Sequence, residues 1–425
     1  MKNLIALIII LIVLLGGLHS LEAQEIPLTS DDYEHERPQW SPDGSEVVYM
    51  KNDATGYWQI YKVPSTGGTE TPLTSDSCWH GFPQWSPDGN EIVYEKEILP
   101  RFQIYKVPSA GGTETPLTSD SYNHFCPQWS PDGSEIVYHK HDATGYAQIY
   151  KVPSTGGTEI SLTNSMYDAK HPQWSPDGSE IVYHRWLSSW QIYKVPSTGG
   201  TEIPLTLDIY DDEYPQWSPD GNEIVYHKFE FDGTGMWQIY KVPSSGGPET
   251  PLTSDGSCHH WFPQWSPDGS EIVYDRRDPA RSQIYKVPST GGPETPLTSD
   301  SYNHRYPQWS LDGSEIVYQK LDTTGCYQIY TISSTDVFET PFMIPKTSSI
   351  DIFPNPAKTF FEIRSQEHVK EIQIFDITGK LVRGEILLEY KPTQKISLED
   401  LTAGVYFVRL KCKDFTSTKK LLLIR

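Results

Sequence analysis

Apolar and polar positions alternate in short runs such as Glu135-Ile136-Val137-Tyr138 and Gln148-Ile149-Tyr150-Lys151-Val152. A period of two in β-branched and aromatic residues is the mark of half-buried strands. Nowhere in the repeated region does a 3.6-residue helical period appear. Turn-forming clusters punctuate the runs. Ser130-Pro131-Asp132-Gly133 puts proline at the second turn position and Asp-Gly after it, and Ser154-Thr155-Gly156-Gly157 supplies residues that tolerate positive φ. A last short run, Glu159 to Thr163, closes the set.

The whole pattern returns with a period near 44. Its tryptophan recurs at Trp40, Trp85, Trp129, Trp174, Trp217, Trp265 and Trp309, always within Pro-Gln-Trp-Ser and followed by Asp-Gly. Only the last copy alters the turn proline, to Leu311. Four short antiparallel strands in each unit of that length make one propeller blade, and seven units predict an all-β, seven-bladed β-propeller. WSPDG followed by E-I-V-Y, Q-I-Y and P-L-T resembles the TolB-type, WD-like propeller repeat over residues 24–344. That resemblance implies fold and little about activity.

The outer-strand run occurs eight times, beginning at Glu25, Glu70, Glu114, Glu159, Glu202, Glu249, Glu294 and Glu339. Seven blades need seven. Glu25 to Thr29 is identical to Glu202 to Thr206, whereas the copy at Glu339 has lost its Leu-Thr ending. The N-terminal run is therefore expected to complete the last blade.

The two ends of each blade differ. First and third turns emerge on one face and repeat nearly unchanged, so the Asp of SPDG is expected to be structural. The glycines there precede no helix, and so form no phosphate cradle. Loops on the opposite face vary, and binding is expected on that face. An Asp-x-Thr-Gly turn marks alternate copies at Asp53, Asp142, Asp232 and Asp322. Aromatic residues sit in the inter-blade loops, among them Trp79, Tyr122, Trp261 and Tyr302. Five residues before the motif tryptophan stand His35, His80, His124, Ala169, Asp212, His260 and His304. If the inner strands line the channel, these form a ring near its mouth that suits a transition metal or an acidic or sugar ligand. TolB-like repeats tend to carry Asp at this place, bonded to neighbouring backbone. The resemblance thus implies a structural role, with His standing in for Asp.

Composition and charge narrow the possibilities. The net charge is −22; residues 25–346 hold 20 Lys+Arg against 45 Asp+Glu, or −25, and residues 347–425 hold 13 against 10, or +3. An acidic surface repels phosphate backbones, which excludes nucleic acid as a partner. Met1 to Ala23 carries Lys2 and an apolar run from Leu4 to Leu18, the form of a signal peptide cleaved after Ala23. The run is short for an uncleaved anchor. No transmembrane anchor is expected after processing, and no cysteine follows the run to accept lipid. Five cysteines, with no CxxC among them, are too sparse for a disulfide framework, although Cys78 and Cys126 lie in loops where they could meet.

Beyond a polar linker at 345–350 the repeat stops. Ile352-Phe353-Pro354-Asn355-Pro356-Ala357, Asp376-Ile377-Thr378-Gly379-Lys380, Leu401-Thr402-Ala403-Gly404-Val405-Tyr406 and Lys420-Leu421-Leu422-Leu423-Ile424 follow one another through residues 351–425. These elements, with Pro354, Asn355, Pro356, Gly379, Gly404 and Lys420 at their key positions, resemble the C-terminal sorting domain of type IX (Por) secretion. That resemblance implies a small Ig-like β-sandwich read by the secretion machinery, and a product secreted from or displayed on a Gram-negative-type cell.

Catalytic signatures such as GxSxG, HExxH and the P-loop do not occur. No catalytic residue, metal ligand or cofactor is assigned. The expected function is non-enzymatic recognition of a protein, peptide or glycan by the variable face. The alternative is an extracellular polysaccharide lyase or hydrolase with a metal-assisted site at the channel mouth.

Overall fold

The computed structural model describes residues 25–230, 235–254, 256–335, 351–353, 357–364, 369–376, 380–386, 393–398, 400–411 and 416–423. Residues 1–24, where a signal peptide is expected, Asp232, Cys412 and the motif residues Pro354, Asn355, Pro356 and Gly379 lie outside them. Contacts divide the chain into two compact units, Met1–Thr340 and Pro341–Arg425.

The first unit is seven four-stranded antiparallel sheets. In the third blade the order is Asn123–Trp129, Glu135–His141, Ala147–Pro153 and Ile160–Ser161, each strand paired with the next. The strand Glu135–His141 is buried on both faces, because Ile136 and Val137 point into different inter-blade cores. One such core holds Val93, Ile104 and Leu117 of the second blade against Ile136, Tyr138 and Val152 of the third. Apolar burial of this kind, at ~25 cal/mol per Å², is what binds each blade to its neighbours. A second tie is the motif tryptophan of five blades: the indole N–H of Trp85, Trp129, Trp174, Trp217 and Trp265 donates to a backbone carbonyl of the preceding blade, as in Trp129 Nε1 to Gln84 O at 3.2 Å.

SPDG acts as a turn. Asp132 Oδ1 accepts from Ser130 Oγ (2.7 Å), Ser134 N (3.0 Å) and Ser134 Oγ (2.8 Å), and Gly133 has φ +73°. Ser130 Oγ in turn accepts from Glu135 N at 2.9 Å, fastening the turn to the strand after it.

The last blade takes its outer strand from the N-terminus. Ile26–Pro27 pairs antiparallel with Tyr327–Ser333, placing Ile26 opposite Thr331 and Pro27 opposite Tyr330. Leu28, 3 % exposed, enters the core with Val47, Tyr49, Val63, Val317 and Ile329, so first and last blades share one apolar cluster.

In the second unit a three-stranded sheet (Asp351–Phe353, Phe360–Arg364, Thr393–Ser397) and a four-stranded sheet (Leu381–Ile386, Glu371–Asp376, Gly404–Lys411, Thr416–Leu423) feed one buried cluster. Ile363 and Ile396 enter it from the first sheet, and Ile372, Val408 and Leu421 from the second. Gly404 opens a strand there, and Lys420 lies opposite Phe407.

Candidate functional site

Each inner strand carries a β-bulge just before Pro-Gln-Trp; in the first blade the register shifts between Glu36 and Gln39. The residue in the bulge is left-handed in all seven copies: Arg37, Phe82, Cys126, His171, Tyr214, Phe262 and Tyr306 have φ between 53° and 55°. Such a conformation is uncommon for non-glycine residues and costs about 1–3 kcal/mol where it occurs. Second-strand side chains of the preceding blade help to hold it. Arg37 N donates to Gln319 Oε1 (3.0 Å), Phe82 N to Met50 Sδ (3.4 Å), Cys126 N to Glu95 Oε1 (2.6 Å) and Tyr214 N to His184 Nδ1 (3.2 Å).

The bulge reverses the strand's alternation and decides which side chains see the channel. A cavity of about 400 Å³ is walled by seven Pro-Gln pairs and by these seven bulge residues. Every pair repeats, whereas the bulge residues comprise a guanidinium, two phenyl rings, two phenols, an imidazole and a thiol. Phe262 meets Tyr306 at 4.7 Å between ring centroids and Tyr214 at 5.2 Å, and Tyr214 meets His171 at 4.3 Å. Burial, with Arg37 and Lys170 nearby, lowers the His171 pKa to about 3, leaving its ring neutral. Among the described residues Arg37 is the one charged side chain in this wall.

The ring expected at the channel mouth is elsewhere. His35, His80, His124, Asp212, His260 and His304 are all 0 % exposed and do not line the cavity. Their side chains turn into the blades, because the bulge residue two positions further on takes the channel-facing place. In the first blade His35 Nδ1 meets Tyr33 O at 2.8 Å and Nε2 meets Glu70 Oε2 at 3.2 Å. Glu70 also accepts from Tyr49 Oη (2.7 Å) and Lys51 Nζ (2.8 Å), and Lys51 pairs with Asp31 as well. Burial alone would raise the Glu70 pKa, yet His35, Lys51 and Tyr49 hold it down to about 2. Homologous networks join His80 with Glu114, His124 with Glu159, and His304 with Glu25. In the fifth blade burial raises Asp212 to about 8 against the pull of Lys228. Where the fourth blade has Ala169, Arg185 Nη1 reaches Glu202 at 2.9 Å.

Five of these networks gather an Asp, a Glu and a His or second Asp within metal-ligating distance of one another. Each also holds a lysine ammonium: Lys51, Lys96, Lys140, Lys228 or Lys320. That ammonium is the cation the carboxylates neutralise, so the donor set does not fit a metal unless the lysine is displaced.

Trp79 packs edge-on to Phe102 at 5.4 Å between centroids. Tyr122 and Tyr302 lie under the network lysines Lys140 and Lys320, and Trp261 stacks on His259 at 5.2 Å. Tyr33 covers Lys51 in the same way, so this tyrosine position belongs to the repeat. Cys78 and Cys126 are free thiols rather than a bridge: Cys126 lies in the cavity wall, and Cys78 in a loop pinned by its N–H to Asp76 Oδ1 at 2.8 Å. Sequence reasoning missed the bulge residues. Their signal was present, as the one variable position directly before an invariant Pro-Gln-Trp.

A propeller of repeated blades with a sorting tail defines a class of exported protein. The TolB beta propeller domain matches residues 17–189, 83–227 and 187–351, and the chain belongs to that family. The secretion system C-terminal sorting domain matches 351–424, which marks the protein for export to the cell surface or beyond. Among the described residues no helix is long and apolar enough to cross a membrane. No curated protein matches the chain. Oligogalacturonate lyase from Vibrio parahaemolyticus is similar in structure, with a TM-score of 0.62 at 16% identity over 74% of this chain and 94% of that one. An oligogalacturonate lyase in complex with manganese gives 0.61 at 18%, again over 74% and 94%. The propeller of the trilobed protease from Pyrococcus furiosus, described as having an open velcro topology, gives 0.54 at 13% over 71% and 95%. At these identities the likeness is one of fold.

Proposed function

We propose that this exported propeller works by non-enzymatic recognition, taking an extracellular protein, peptide or glycan on the face that carries its variable loops. One observation carries this reading. The SPDG face repeats its bonds blade after blade, while the bulge residues beneath the variable loops differ around the ring. Recognition needs that kind of asymmetry, and a fold alone would not maintain it. The loops of that face also leave apolar side chains in solvent, with Met166, Leu207 and Ile209 exposed by 76 %, 66 % and 73 %. Loops so placed are where binding energy is concentrated.

The likeness to oligogalacturonate lyases favours a second reading, a polysaccharide lyase or hydrolase with a metal at the channel mouth. Two features weigh against it. Glycoside hydrolysis uses a pair of carboxyl groups, and among the described residues the cavity wall offers none. The acidic clusters already enclose a lysine. Incubating the purified protein with oligogalacturonate and with peptide substrates, with and without added manganese, tests the choice. Recognition predicts no turnover under any of these conditions; turnover that depends on the metal would replace it with the lyase reading.

A further inference from the structure

Arg37 differs from the lysines of the blade networks. Lys51, Lys96, Lys140, Lys228 and Lys320 each sit against carboxylates within their own blade. Arg37 has no ion pair among the described residues. Its guanidinium lies 4.1 Å from the centroid of Phe82 and 4.6 Å from that of Tyr306, and its one side-chain hydrogen bond is a long one, 3.5 Å from Nη2 to Tyr306 Oη. Aromatic faces on two sides fix the planar group and reduce its contact with water. A guanidinium held in this way keeps donors free for a carboxylate, which it can bind through two parallel bonds. The neighbouring wall is apolar or neutral: Phe262, Tyr214 and the uncharged His171 continue round the cavity.

We propose that Arg37 is the anchor for a single carboxylate, the C-terminus of a peptide whose last side chain lies against the aromatic wall of the channel. This rests on the recognition reading and names the ligand class. Two observations select a peptide end. The cavity carries one positive side chain, which matches one carboxylate. The surrounding region has a net charge of −25, so a polyuronate with an anion on every residue would be repelled, whereas a peptide with a basic stem would be drawn in. A cavity of about 400 Å³ also suits the last few residues of a chain.

The test is retention of a peptide pool, Ac-Lys-Lys-Gly-X-X-X randomised at the last three positions, on the immobilised full chain. The pool is made once as free acids and once as C-terminal amides, with trigalacturonate as a separate probe. Free acids should be retained about tenfold or more over amides, since charge-assisted bonds exceed neutral ones. Arg37→Gln should abolish that preference and Arg37→Lys restore part of it. Equal retention of acids and amides, no retention of either, or binding of trigalacturonate alone would overturn the proposal. The acid–amide comparison on the unaltered protein stands even if a variant fails to fold. Acids and amides held equally, without turnover in the assays above, leave recognition in place and remove only the Arg37 anchor; turnover removes recognition itself.

Discussion

Replacing Glu25 by Gln asks whether the N-terminal strand locks the ring. Glu25 is the glutamate of the last blade's network, with His304 Nε2 at 2.9 Å from its Oε1 and Lys320 on the other oxygen. Burial would raise its pKa, but His304 and Lys320 bring it down to about 2 from an ordinary 4.5. At about 1.4 kcal/mol per pH unit, that fall corresponds to about 3 kcal/mol of stability. The sign follows from a carboxyl whose pKa is lower when folded. The contribution is complete above pH 4.5 and is lost as pH falls from there towards 2. Gln keeps one acceptor oxygen, so Glu25→Gln should cost about 2–3 kcal/mol at pH 7, or roughly 4 °C in Tm for a ring of this size. The gap to the unaltered protein should narrow at pH 3. Glu70, whose pKa is also brought to about 2 by His35 and Lys51, supplies an internal control in a blade made of continuous chain. Thermal unfolding followed by tryptophan fluorescence reads both variants. Should Glu70→Gln destabilise the protein while Glu25→Gln leaves Tm unchanged, the N-terminal strand does not close the ring.

Three further outcomes are expected. His124→Ala, which removes a wholly buried ring from its carboxylate and backbone partners, should lower stability by roughly 1–2 kcal/mol in denaturant unfolding, and the purified parent should carry no stoichiometric transition metal by elemental analysis. Burial raises Glu95 to about 8, opposed by the N–H of Cys126, while Gln319 accepts the equivalent bond from Arg37 in another blade. Glu95→Gln should therefore stabilise by about 2–4 kcal/mol at pH 8 and by nothing at pH 4, and equal stability at both pH values would refute the buried-acid reading. Truncation after Ile344 should leave a folded propeller in the periplasm, and its appearance on the cell surface by protease shaving would refute the sorting role of the tail.

Much of this architecture is legible along the chain. Seven copies of Pro-Gln-Trp-Ser with Asp-Gly declare the blades, because turn chemistry and strand period act over a few residues and need no distant partner. The surplus outer-strand run at Glu25 announced how the ring closes, since a count of strands is itself a topological statement. The site is another matter. From sequence His35 and its equivalents read as a ring at the channel mouth, a reading that assumes unbroken alternation along the inner strand. The left-handed residue before each Pro-Gln-Trp breaks it, sending His35 into the blade towards Glu70 and bringing Arg37 to the channel wall. In the first blade the bulge N–H is met by Gln319, an acceptor reached only when the last blade meets the first. Side-chain identities at 37, 82, 126, 171, 214, 262 and 306 were written in the chain, but only ring closure sets them around one cavity. Local rules act through neighbours in sequence; the channel wall is made of residues that become neighbours only when seven blades meet.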